Sequence, residues 1–206
     1  MTSASPTGAR ILLVRHGQIH ANVAQRWHGS TDEDLTDAGH VQARRVAAHL
    51  ARERPTAVAV YASPARRARS TAAPIAAALA LPMAIEPDVM EYGIGVLENE
   101  LFADLTDRHR FFEQASADLS WAPAGGESLG GVAERVTAAW RRIAAAHPGA
   151  DVVVVSHGAA IAIGLSRLLH DDPRLWTQYH SRNTGISEIV LTPPTLVTFN
   201  RTDHLE

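Results

Sequence analysis

Arg10-Ile11-Leu12-Leu13-Val14-Arg15-His16-Gly17 and, far downstream, Asp151-Val152-Val153-Val154-Val155-Ser156-His157-Gly158 follow one pattern. In each, an apolar run leads into a polar residue, a histidine and a glycine. Unbroken aliphatic runs of this length suit strands covered on both faces, as in a parallel sheet. A third run, Ala57-Val58-Ala59-Val60-Tyr61, leads into Ser63-Pro64-Ala65-Arg66-Arg67-Ala68. The expected strands are therefore 10–14, 57–61 and 151–155.

Helical patterns lie between and after these runs. Thr36 is a fitting N-cap for a helix over 36–54, with Val41, Val46 and Leu50 inward and Pro55 as its stop. Ser63-Pro64 opens a second, over 63–81, which Pro74 should perturb. A third covers 128–147, with Leu129, Val132, Val136, Trp140 and Ile143 on one face. A fourth begins after His157 and carries Ile161, Leu165, Leu168 and Leu169. Strands alternating with helices give an α/β three-layer sandwich, a mostly parallel central sheet with helices on both faces. Residues 88–126 fit neither element and read as a short insertion over one end of the sheet. Residues 185–191 and 196–199 alternate apolar and polar, as one or two edge strands would. The whole chain, 1–206, reads as one domain.

Composition narrows the chemistry. Among 206 residues there is no cysteine and no lysine, so all 19 basic residues other than histidine are arginine. That excludes thiolate nucleophiles, cysteine-ligated metals, Schiff-base lysines and the lysine of a Walker A loop. The His and Asp residues show no ligand spacing, so neither a metal nor another cofactor is expected. A net charge of -3 gives no reason to expect nucleic acid or an anionic membrane surface as partner. No apolar run reaches the ~18–20 residues of a membrane span. Residues 1–6 lack a basic-then-apolar leader pattern, and the cytoplasm is the expected location.

In an open α/β sheet, ligands sit beyond the carboxyl ends of the strands. Parallel strands would gather His16, His157 and at least two arginines there, Arg15 with Arg66 or Arg67. Gly17 and Gly158 should permit close backbone approach to a ligand, and helix starts should offer free amides to an anion. Arginine matches phosphate geometry, and a neutral imidazole is a competent nucleophile toward phosphorus.

These residues resemble the histidine phosphatase superfamily, in its phosphoglycerate mutase-like branch. Arg15-His16-Gly17 is similar to the family signature, and Asn22 stands where the family has a phosphate-contacting Asn. Gly29, the Asp34-Leu35-Thr36-x-x-Gly39 stretch and Ser63-Pro64-x-x-Arg67-Ala68-x-x-Thr71-Ala72 resemble the next blocks. Glu91, Gly95 and Glu98 resemble the block holding the proton donor. Gly126-Glu127-Ser128-Leu129, Ser156-His157-Gly158, Asn200 and His204-Leu205 resemble the rest. The resemblance implies that His16 becomes phosphohistidine and that Glu91 acts first as acid, then as base. It implies that Arg15, Asn22, Arg67 and His157 hold phosphoryl oxygens. Gly17, Ile19, Gly29, Tyr92 and Gly158 are candidate pocket contacts, and His20 and His28 could line the mouth. Two positions depart from the pattern: Ile19 replaces a usual Ser or Thr, and Asn99 stands where Gly often follows.

The implied activity is a phosphomonoester phosphatase acting on a small phosphorylated metabolite. Phosphoglycerate mutase is an alternative; mutases of the family are usually longer and carry extra basic residues, for which only Arg108 and Arg110 are available in the insertion. A non-catalytic phosphate-binding protein is a second alternative; it would be free to lose Arg15, His16, Arg67, Glu91 or His157, and all five are present. The insertion should choose the leaving group, while its aromatic residues Tyr92, Phe111, Phe112 and Trp121, with Trp27, read first as a small core. Nothing in the sequence sets an oligomeric state.

Overall fold

The computed structural model describes residues 8–206; the residues 1–6 on which the leader reading rests lie outside them. In chain order the elements are β1 (Arg10–Arg15), α1 (His20–Val23), α2 (Asp37–Glu53), β2 (Ala59–Ala62), α3 (Arg66–Ala78) and β3 (Met83–Ile85). There follow α4 (Phe102–Asp107), α5 (Phe111–Ala117), α6 (Leu129–Ala146), β4 (Asp151–Ser156), α7 (Gly158–His170), β5 (Ile186–Leu191) and β6 (Pro194–Arg201). The strands form one six-stranded sheet in the order β3-β2-β4-β1-β5-β6. Strands β3, β2, β4 and β1 run parallel, while β5 is antiparallel to both β1 and β6.

Alternation along the central strands sends side chains to two separate cores. Ile11 and Leu13 of β1, with Val152 and Val154 of β4, pack with Val136, Trp140 and Ile163 of α6 and α7. Leu12 and Val14, with Val153 and Val155, pack with Val46, Leu50, Ala72 and Ile75 of α2 and α3. Each core strand is thus apolar on both sides, which is why the runs are continuous and not alternating. The result is the expected α/β three-layer sandwich.

Several local expectations change. Helix α3 opens at Arg66, because Ser63 precedes a proline and Ala65 is still extended (ψ 139°). The helix runs through Pro74 without a break. Val41 faces outward at 41% exposure, while His49 of the same helix is buried at 4%. Residues 186–191 are an interior strand between β1 and β6, leaving β6 alone as the tail's edge strand. Strand β3 gave no signal: three residues, two of them exposed, carry too little pattern. Thr36 and Ser128 do cap α2 and α6, accepting from Gly39 N and Gly131 N. No helix among the described residues is long and apolar enough to cross a membrane.

Candidate active site

Strands β1 and β4 pair in register, Arg15 beside Ser156, so the two histidines emerge side by side; His16 N donates to Ser156 O at 3.0 Å. Their ring centroids are 5.3 Å apart. His16 Nδ1 lies 2.7 Å from the Gly17 carbonyl. A carbonyl only accepts, so Nδ1 carries the proton and Nε2 keeps its lone pair. Burial, then Arg67 and Arg15, holds the His16 pKa well below the ordinary histidine value. The ring is a neutral imidazole of defined tautomer.

His157 is held the other way round. Arg67 Nε donates to its Nδ1 at 3.2 Å, so the proton sits on Nε2, which meets Ser63 Oγ at 2.7 Å. Burial, then Arg67 and His16, pushes its pKa well below the usual range. Both ring nitrogens are engaged, and His157 faces His16 and orients Arg67 without reaching the cavity wall. Arg67 also donates to the carbonyls of Thr31, His28 and Gly29 at 2.8, 3.0 and 2.8 Å. Four of its five N–H groups are therefore used, and one on Nη1 is left.

Glu98 shapes the loop that grips Arg67. Its carboxylate accepts from Gly29 N, Ser30 N and Ile94 N at 2.8, 3.1 and 3.0 Å, and from two hydroxyls of the same loop. Asn99 beside it has φ 67°, a left-handed backbone that Asn tolerates, which accounts for glycine being at home there.

Glu91 is buried, and its carboxylate accepts from Tyr92 N, Ala159 N and Ala160 N at 2.9, 3.1 and 2.8 Å. The amides at the start of α7, expected to meet a ligand, are thus taken by the chain's own carboxylate. The other helix starts are filled likewise: Asn22 Oδ1 accepts from Ile19 N, and Asp32 Oδ1 from Arg66 N. Asn22 Oδ1 also accepts from Asn183 Nδ2 at 2.9 Å, which leaves the Asn22 NH₂ to donate. Asn22 Oδ1 takes the Ile19 N–H at the start of α1, and the Ile19 side chain packs into a small buried cluster.

A cavity of about 350 Å³ opens over this floor, lined by Arg15, His16, Asn22, Glu91, Ile19 and Gly158 among others. Gly17, Gly29 and Tyr92 lie off its wall. A Cβ on Gly17 would stand 2.7 Å from Gly39 O, so that glycine serves packing against α2. Gly29 is closed off by Tyr92 O, and Tyr92 is fully buried. Gly158 clears the guanidinium of Arg15, whose Cζ would be 3.3 Å from an added Cβ. His28 lines the cavity, and His20 does not.

Sequence reasoning passed over three groups. Arg135 of α6 pairs with Glu127 at 2.7 Å and donates to the carbonyls of Asp88, Met90 and Glu91, fixing the backbone that carries Glu91. Ser181 O accepts from Arg15 Nη1 at 2.6 Å, and Asn183 Nδ2 also donates to His16 O. Phe102 and Trp176 line the cavity. Long separations in sequence hid all of these, although Glu127 sits in a quoted block. No group of three or more His, Asp or Glu among the described residues is placed to hold a metal ion.

The profile of the histidine phosphatase superfamily (branch 1) matches residues 11–201. A bifunctional protein of Mycobacterium tuberculosis is 38% identical over 174 residues, 82% of this chain. That match covers 46% of the relative, so the chain spans about half the length of such curated relatives. A metal-independent phosphoserine phosphatase of Arabidopsis thaliana is 38% identical over 157 residues, 73% of this chain and 65% of that protein. A phosphoserine phosphatase from Entamoeba histolytica, crystallised with 3-phosphoglyceric acid, superposes with a TM-score of 0.85 at 27% identity. The superposition covers 96% of this chain and 100% of that one.

Proposed function

Because the chain belongs to branch 1 of the histidine phosphatase superfamily, we propose that it is a phosphomonoesterase working through a phosphohistidine on His16. The observation that carries this reading is the His16 ring, neutral, with Nδ1 tied to the Gly17 carbonyl and Nε2 free among cationic groups. Nε2 attacks phosphorus in line, the P–O bond to the alcohol breaks, and the departing oxygen takes a proton from Glu91. Water then attacks the phosphohistidine, giving its proton to Glu91, and phosphate leaves.

Arg15 and the Asn22 NH₂ lie on the cavity wall and take phosphoryl oxygens, with the remaining Arg67 N–H behind them. The positive field from Arg15 and Arg67 stabilises the charge of the transferring group. His157 keeps Arg67 in position and contacts phosphate only by exchanging a present partner. Glu91 is the one carboxylate on the wall, which supports it as the proton carrier. The partners on this reading are small phosphomonoesters, turned over by one 1–206 catalytic unit in the cytoplasm.

Phosphate release from a panel of phosphomonoesters tests the reading, with 2-/3-phosphoglycerate interconversion followed in parallel. Release should be catalytic, and His16→Ala should lower it by about 10³-fold or more. Interconversion without net release would replace hydrolysis by mutase activity. Release that survives His16→Ala would remove the phosphohistidine.

A further inference from the structure

Two hollows adjoin along Arg15, Asn22, Phe102 and His180. One is the cavity described above; the other, about 600 Å³, is walled by polar residues including Gln18, Gln42 and Arg182. Glu91 lines only the first. On the phosphomonoesterase reading, the leaving oxygen must lie beside Glu91, so the alcohol extends into the first hollow.

That hollow is walled by rings. Trp27 stands 5.6 Å from Phe102, 6.2 Å from Phe112 and 6.3 Å from Trp176, centroid to centroid, and Phe112 and Trp176 are 5.9 Å apart. At these separations the rings touch one another, making a continuous face and not a cage with room for a cation between them. The Trp27 Nε1 donates to Tyr92 O at 3.0 Å, so its polar handle is spent and its apolar surface faces the cavity. Ala162 extends the same face from α7.

Charge excludes one class of alcohol. The wall carries two arginines, Arg15 and Arg26, and no carboxylate besides Glu91, whose oxygens already accept three backbone N–H bonds. An amino-acid ester brings an ammonium that would find no anion here and would face both guanidiniums.

We infer that the preferred leaving group is an uncharged apolar alcohol, aromatic or branched aliphatic, seated against Trp27, Phe102, Phe112 and Trp176. The inference rests on the phosphomonoesterase reading, and Arg26 makes a carboxylate-bearing alcohol its sharpest competitor.

Phosphonates test the wall without turnover. In calorimetric titration of the whole chain, 2-phenylethylphosphonate should bind about 30-fold tighter than methylphosphonate, the value of covering one phenyl ring. The phosphonate analogue of phosphoserine should bind no tighter than methylphosphonate. Among esters with alkyl leaving groups, kcat/KM for 2-phenylethyl phosphate should exceed that for phosphoserine and 3-phosphoglycerate by about 10-fold or more. Trp176→Ala and Phe102→Ala should each cut the phenylethyl-to-methyl affinity ratio several-fold. Phe102 is 44% exposed, so its variant keeps the core even if the other does not fold. Equal affinities, unchanged ratios in both variants, or phosphoserine or 3-phosphoglycerate turned over fastest would overturn the inference and leave the phosphatase standing. Tight phenylethylphosphonate binding with no ester hydrolysed would uphold the wall and overturn the catalytic reading.

Discussion

At the floor of the cavity, Arg15, His16, Arg67 and His157 hang from strand ends and the first turn of α3; Arg67 and His157 are held by hydrogen bonds within the chain, while Arg15 Nε and His16 Nε2 have no partner in it. At the outer wall, Trp27, Phe102, Phe112 and Trp176 come from loops and short helices, and their side chains meet one another through ring contacts. The floor is polar, buried and over-determined; the wall is apolar, partly exposed and carried by segments that tolerate change. Chemistry that every substrate shares sits on the rigid part, and the part that reads the alcohol sits on the adaptable one. Glu98 joins the two, since it accepts from Gly29 N and Ser30 N in the loop after Trp27 whose carbonyls bind Arg67, while Arg135 fixes the backbone of Glu91.

The comparison breaks first at Arg67. Arg67→Ala removes the donor to three loop carbonyls and to His157, and should cost about 3 kcal/mol or more in unfolding experiments, with activity lost as well. A variant of ordinary stability would show that the floor is looser than drawn. Glu98→Ala should act through the same loop, lowering stability by about 1–3 kcal/mol and kcat together. Because Glu98 does not line the cavity, a rise in KM alone would place it at the wall and not behind the floor.

Gly158→Ala sharpens the contrast more finely. Its Cβ would sit 3.3 Å from Arg15 Cζ, so the guanidinium must shift by a few tenths of an ångström. We expect kcat/KM to fall about 10-fold for every ester, with discrimination among alcohols unchanged. A changed ester preference would mean that Arg15 also reads the alcohol.

The floor should also announce itself in pH. His16 and His157 have folded pKa values well below 6.5, so below that pH the unfolded chain binds protons that the folded chain refuses. Stability therefore falls as pH drops through and below 6.5, by up to about 1.4 kcal/mol per pH unit for each ring. Denaturant titrations at pH 7.5 and 5.5 measure the slope, and His157→Asn should flatten it. A slope of opposite sign would mean the rings are charged. The smallest effect belongs far from the site: Ser128→Ala, which removes the cap of α6, should cost about 1 kcal/mol and spare activity.

The same division decides what could be read from the sequence. Floor residues were legible because each follows a run whose apolar continuity is itself the strand signal, as Val152 to Val155 leads to His157. Caps such as Thr36 and Ser128 were legible because their partners lie three residues away. Arg135 was not, since its link to Glu91 spans 44 residues and its spacing on α6 is that of any solvated arginine. The helix-start amides were misread for the same reason: only the fold brings Glu91 to Ala159 and Ala160. With no lysine in the chain, the long cations near the site are all arginines, Arg26 and Arg135 as well as Arg15 and Arg67.

The central claim is that the neutral His16 ring takes the phosphoryl group. Rapid quenching of the full chain with a ³²P-labelled phosphomonoester, followed by peptide mapping, tests it directly. An acid-labile, alkali-stable label should appear on His16, turn over with hydrolysis and be absent from His16→Ala. Hydrolysis with no label on His16, or a label found on another residue, would contradict it.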